Sequence, residues 1–353
     1  MPSSQSSRRI TAPGGVVHAL ILGLMLIVAT GCDKAEAKEV AGGLAGSLVD
    51  QAKDALPALP MGPPALPADS KLNRGAKSRF RSTVGGHILY VPKGFSAPDG
   101  AFDLLVAFHT HRPVLFESIE QSGLNAVVAN VNLGTGAGNY EKVFSDPLAF
   151  EKLLENVIPE IEGRGLDRPR IRRIGLLSWS AGFGAVRGIL GQRHMKRIDF
   201  AAVLDGLHVH VFPNSDEIVV AEVDAYEGFA RKALAGDAAF IITHNHIVPD
   251  GMPIASVTRT TNLLLDRLGL ERRPASGEVV PPHLTANDGV YSKKRTFTLT
   301  AETIVEEGGF VVRGYAGREK EDHVCHLMGM RPLALEPLKR RWEAPETIAG
   351  ATF

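Results

Sequence analysis

Cysteine is almost absent: Cys32 and Cys325 are the two in 353 residues. No disulfide framework can therefore organise the fold. An excess of charge is missing as well, since 39 Lys and Arg balance 39 Asp and Glu. Such a chain sets up no global field toward nucleic acid or an anionic surface, and no nucleic-acid partner is expected. No apolar run approaches the ~20 residues that a confident membrane-spanning helix needs. There is no helical His-Glu-x-x-His motif, no glycine loop closed by Lys and Ser/Thr, and no convincing internal repeat. What is there is ordinary for a large globular core: 44% hydrophobic and 22% charged residues.

The first 31 residues read as a targeting segment. Arg8 and Arg9 precede an apolar run from Val16 to Val28, VVHALILGLMLIV, that ends in Ala29-Thr30-Gly31-Cys32. A basic start, a short apolar stretch and small residues before a cleavage point suit a secretory signal. Small residues leading straight to a cysteine resemble the lipobox of bacterial lipoproteins. That resemblance implies lipidation of Cys32 and a chain anchored at the cell envelope, facing periplasm or exterior. Residues 32–78 include ALPALPMGPPALPADS, whose prolines forbid regular ladders and favour an extended tether.

From residue 79 to 353 the pattern is that of one folded domain. HILYVP predicts an antiparallel opening strand. Apolar runs of buried-strand length follow: DLLVAFH, NAVVANVNL, RIGLLSW, FAAVLDGL and AAFIITH. Helical periodicity lies between them, near 113–122, 146–163, 181–192, 216–235 and 257–269. A last sheet segment near GGFVVRGYAG precedes a helical stretch from about Glu321 to Trp342. Near-continuous apolar strands alternating with helices predict an α/β fold, a mostly parallel central sheet with helices on both faces.

In such a sheet, ligands collect beyond the carboxyl ends of the strands. Eight of the twelve histidines fall there: His109, His111, His208, His210, His244, His246, His323 and His326. So do Ser180, Asp205 and Asp250. NLGTGAGNY reads as a flexible glycine loop that could line a pocket, with Tyr140 as a polar wall beside His109, His208 and His244. Three His-x-His pairs also occur. Residues two apart in an extended strand point the same way, so each pair could present two imidazoles to one metal.

Ser178-Trp179-Ser180-Ala181-Gly182, between a buried strand and an amphipathic helix, resembles the nucleophile elbow of the α/β-hydrolase superfamily, with Ser178 in place of the first glycine. Small residues flank the serine because its turn is tight. The helix beyond offers free amides and a positive dipole end to a developing oxyanion. The resemblance implies a serine esterase or acyl hydrolase with a small-molecule or lipid-like acyl substrate and no cofactor. It also implies the order nucleophile, acid, histidine. Ser180 is the expected nucleophile and His323 the base, with His326 as the alternative. The acid is Asp205 or Asp250. Asp205 is favoured because an unpartnered aspartate straight after a buried strand would be costly. Ala181 is the expected oxyanion donor. The second donor comes from the loop after the first buried strand, at Thr110, His111 or Arg112, although HTHRP lacks the family's glycine. Two other readings stand beside this one: a metal-dependent hydrolase built on the His-x-His pairs, and a non-catalytic envelope binding protein of the same fold.

Overall fold

The computed structural model describes residues 77–82, 85–249, 251–281, 284 and 297–344. The leader, the Pro-rich stretch with Cys32, and Asp250 lie outside the described residues. Eleven strands form one sheet: β1 Lys77–Ser82, β2 Gly85–Tyr90, β3 Ala101–Phe108, β4 Val127–Val131, β5 Arg170–Trp179, β6 Ile198–Leu204, β7 Ala239–His244, β8 Arg273–Pro274, β9 Glu278–Val279, β10 Leu299–Glu307 and β11 Phe310–Tyr315. The order is β1-β2-β4-β3-β5-β6-β7-β11-β10-β8, with β9 paired to β10. The six strands from β4 to β11 run parallel. β2 joins β4 antiparallel, as the opening strand was expected to, and β10 closes the far side antiparallel to β11.

Among the described residues eight α-helices cover the sheet: α1 Arg112–Ser122, α2 Ala137–Phe144, α3 Pro147–Gly163, α4 Phe183–Leu190, α5 Asp224–Leu234, α6 Val257–Leu268, α7 Lys320–Met328 and α8 Glu336–Glu343. Alternate side chains of β3 show why both faces need covering. Leu104, Val106 and Phe108 join an apolar cluster under α2 to α6. Leu105 and Ala107 join a second cluster under α1, α7 and α8. Each such side chain contributes roughly 1.5–3 kcal/mol when fully buried, and together they fix the strand register.

Several elements depart from the sequence reading: β1 begins inside the expected tether, β8 and β9 were not foreseen, and two more bear on the site. The NLGTGAGNY stretch, 132–140, was expected to be a loop, but from Ala137 it is part of α2. Its docking depends on α4, where a Cβ on Gly184 would fall 2.6 Å from Glu141 Cγ and one on Gly188 would fall 2.6 Å from Phe144 O. The two bare positions, one helical turn apart, let the backbones approach closely. β10 was not foreseen, because few of its side chains are buried and the period-2 signal is faint.

Candidate active site

The elbow lies where β5 ends. Trp179 is extended, with φ −122° and ψ 141°. Ser180 turns to φ 51°, the left-handed region that side chains other than glycine adopt only under constraint. A single 3₁₀ turn, Ser180–Gly182, then feeds α4. The sharp corner demands small neighbours. A Cβ at Gly182 would meet Phe108 O at 2.6 Å, and one at Gly206 would meet Ser180 O at 2.6 Å. The loop after β6 is thereby packed against the serine's own backbone.

Asp205 follows β6 directly, also at positive φ (45°), and its N–H donates to Thr243 O at 2.9 Å. It is 2% exposed. His323 Nδ1 lies 2.6 Å from Asp205 Oδ2. A carboxylate only accepts, so Nδ1 carries the proton and donates, leaving Nε2 with its lone pair. Asn245, the first residue after β7, donates from its backbone N–H to Oδ1 at 3.1 Å and from Nδ2 to Oδ2 at 2.8 Å. Burial pushes the Asp205 carboxyl upward, but the imidazoles of His326 and His323 and the Asn245 amide outweigh it. They hold the group well below the usual carboxylate range.

His323 sits in the first turns of α7, whose amino terminus is closed by a capping box between Glu319 and Asp322. Its ring stacks on Trp179 with centroids 4.7 Å apart, and Trp179 Nε1–H donates to His323 O at 3.1 Å. His323 is therefore held beside the residue that precedes Ser180. Ser180 Oγ has no hydrogen-bond partner among the described residues. His326 takes a different place. It is fully buried, with Nδ1 2.8 Å from Thr243 Oγ1, and burial pushes it down to about 4.

The loop after β3 is fixed by asparagines. Asn130 Nδ2 donates to Thr110 Oγ1 at 2.7 Å and Asn132 Nδ2 to Thr110 O at 3.0 Å. Arg112 Nε donates to Asn130 Oδ1 at 3.2 Å. His109, at φ 54°, stacks on Trp179 and places Nδ1 3.1 Å from Tyr140 Oη. Tyr140 is fully buried inside α2, and its hydroxyl also accepts from Leu133 N–H and donates to Gly134 O. It holds His109 in place rather than forming an open wall.

The remaining histidines diverge. His208 Nδ1–H donates to Ala255 O at 2.7 Å, and its ring leans on Phe183. His210 pairs with Glu222 at 2.9 Å, which pushes it up. His244 is buried against Thr258 Oγ1 at 3.0 Å and is pushed down to about 3 by burial and then by Arg272. His246 Nε2 meets Glu302 at 2.6 Å. The two rings of each of the last two pairs thus serve different partners. Among the described residues no three His, Cys, Asp or Glu side chains group as a metal would require. Most of these pairs lie in loops, where period-2 geometry does not apply.

Sequence reasoning missed Trp179 and Asn245. A tryptophan between the two serines of an elbow, and an asparagine directly after a buried strand, were the available signals.

The strand order, with helices on both faces, gives an α/β fold around a mostly parallel sheet. The chain matches no protein-family model and no curated protein. Among solved structures it is similar to the feruloyl esterase module of Clostridium thermocellum, at 14% identity over 80% of this chain and 98% of that one, with a TM-score of 0.40. It is also similar to the enterobactin esterase of Shigella flexneri, at 12% identity over 81% of this chain and 65% of that one, TM-score 0.45. A third is a poly(3-hydroxybutyrate) depolymerase of Bordetella parapertussis, at 11% identity over 74% and 90%, TM-score 0.41.

Proposed function

We propose that the chain is a serine hydrolase that cleaves ester bonds by two-step acyl transfer. The observation that carries this reading is the 2.6 Å bond from His323 to the buried Asp205, beside a serine held at φ 51° on a strand-to-helix corner. His323 Nε2 takes the Ser180 Oγ proton as the oxygen attacks the acyl carbon. Asp205 keeps the imidazole in the required tautomer and supports the imidazolium. Ala181 N–H, at the start of the helical turn, donates to the tetrahedral oxyanion. A second donor is drawn from the Thr110 or His111 amide. The leaving alkoxide takes the proton back from His323. Water then repeats the sequence to release the acid.

The reading is tested with Ser180→Ala. A fluorophosphonate probe should label the wild-type chain at Ser180 and leave the variant untouched. Hydrolysis of p-nitrophenyl acetate should fall at least 1000-fold with an unchanged circular dichroism spectrum. A wild-type chain that resists the probe and hydrolyses no ester would leave the non-catalytic binding protein as the better reading.

The site of action belongs to the same proposal. The basic start, the apolar run 16–28 and the small residues before Cys32 support export and lipid anchoring at the cell envelope. The prolines of the tether would give the domain reach toward an acyl substrate. Metabolic labelling with a fatty-acid analogue should mark the wild-type chain and not Cys32→Ser.

A further inference from the structure

We infer that Trp179 is a positioning residue for His323, offering its indole face to the imidazole so that the cation formed during proton transfer is favoured. This rests on the acyl-transfer reading above. The two rings stack with centroids 4.7 Å apart and planes 28° apart. The indole N–H holds the His323 carbonyl at 3.1 Å, across 144 residues of sequence. Trp179 thus grips the base twice, by ring and by main chain, while Asp205 holds the ring edge. Because Trp179 is bonded directly to Ser180, it ties the backbone of the nucleophile to the place of the base.

His109 completes the arrangement. Its ring lies on the same indole, nearly parallel at 10° with centroids 5.6 Å apart, and Tyr140 tethers it. Burial, and then the charge of His323, push His109 down to about 4. It therefore braces the indole as a neutral ring and adds no competing cation. The indole's electron-rich face attracts a cation far more than a neutral ring. His323 is neutral while it waits to accept a proton and cationic once the Ser180 proton has moved. The contact is therefore stronger in the transition state than in the ground state, so its loss should appear in kcat and not in KM.

The test compares full-length wild type, Trp179→Leu and Trp179→Phe. It follows p-nitrophenyl acetate hydrolysis, fluorophosphonate labelling, and the NMR signal of the His323 ring proton on Cε1, which the indole ring current displaces. Trp179→Leu should lose roughly tenfold in kcat with little change in KM, and the ring proton should return toward its ordinary shift. Trp179→Phe keeps an aromatic face and loses only the N–H, so it should hold kcat within about threefold of wild type. A leucine variant with wild-type kcat, or a loss confined to KM, overturns the inference. Should the leucine variant not fold, the phenylalanine variant decides: a tenfold or greater loss there shows that the aromatic face is not what matters. A wild-type chain that neither hydrolyses nor labels overturns the hydrolase reading and this inference together. An active wild type with indifferent Trp179 variants overturns this inference alone.

Discussion

Asn245 shows how much a single side chain can do for a buried charge. It meets both oxygens of Asp205, once through its backbone and once through its amide, at a site 2% exposed. A hydrogen bond to a charged group contributes about 1.5–3 kcal/mol, and a buried carboxylate that loses one stays uncompensated. Asn245→Ala keeps the backbone contact to Asp205 and removes the amide's two bonds, the one to Asp205 and the one accepted from Ile247 N–H. It should slow fluorophosphonate labelling of Ser180 on the order of 10- to 100-fold, because the carboxylate is then less firmly held against His323. Asp205→Asn is a harsher test. It keeps the shape but offers His323 Nδ1 an amide in place of a carboxylate, which permits the wrong tautomer. Turnover should fall on the order of 1000-fold while the fold, followed by circular dichroism, is kept. A milder effect from Asp205→Asn than from Asn245→Ala would contradict the order of roles, since Asn245 acts only through Asp205.

At the scale of elements, the contact between α2 and α4 controls the elbow's footing. Gly184 and Gly188 lie one turn apart on α4, and at Gly188 the backbone of Phe144 leaves no space for a methyl group. Gly188→Ala should therefore be destabilising by roughly 1–2 kcal/mol despite alanine's better helix propensity, because forced separation of packed backbones exceeds that gain. Urea unfolding checks this, and a stabilised variant would show that the helices tolerate sliding. This contact also marks where the sequence was silent. The buried strands could be read because each is a continuous apolar run. The ends of β5, β6 and β11 accordingly pointed to Ser180, Asp205 and His323. By contrast, α2 begins in GTGAG, a string that reads as a loop until a glycine-lined partner helix is known. β10 is too polar in composition to announce itself. Trp179 and Asn245 escaped for a related reason: their parts depend on partners 144 and 40 residues away, which no local pattern encodes.

Across the whole molecule, histidine sets the response to acid. His87, His109 and His326 are pushed down to about 4 and His244 to about 3, in each case chiefly by burial. In the unfolded chain each titrates near the ordinary value of about 6.5. The unfolded state therefore binds more protons than the folded state between those limits, and stability rises with pH there. The contribution is complete above about pH 6.5 and is lost as pH falls toward 4. Asp205 acts in the same direction at lower pH. Its carboxyl is held below the ordinary range when folded, so its contribution is present above the unfolded value of about 4 and lost below it. His210 opposes the trend. Glu222 pushes it up, so its contribution is present at low pH and fades as pH rises through the folded value. Burial lowers His111 and His208 as well, so six depressed histidines against one raised predict net destabilisation by acid. The urea midpoint should fall steadily from pH 7 to pH 4.5, with unfolding near pH 5 taking up several protons; His210 takes up none there, because both states already hold its proton. Replacing the buried His244 by Gln should shallow that slope by about one proton, since the variant has one fewer imidazole to charge on unfolding. A midpoint that stays level between pH 7 and 5 would mean these rings reach solvent in the folded state, against the burial of His87, His244 and His326.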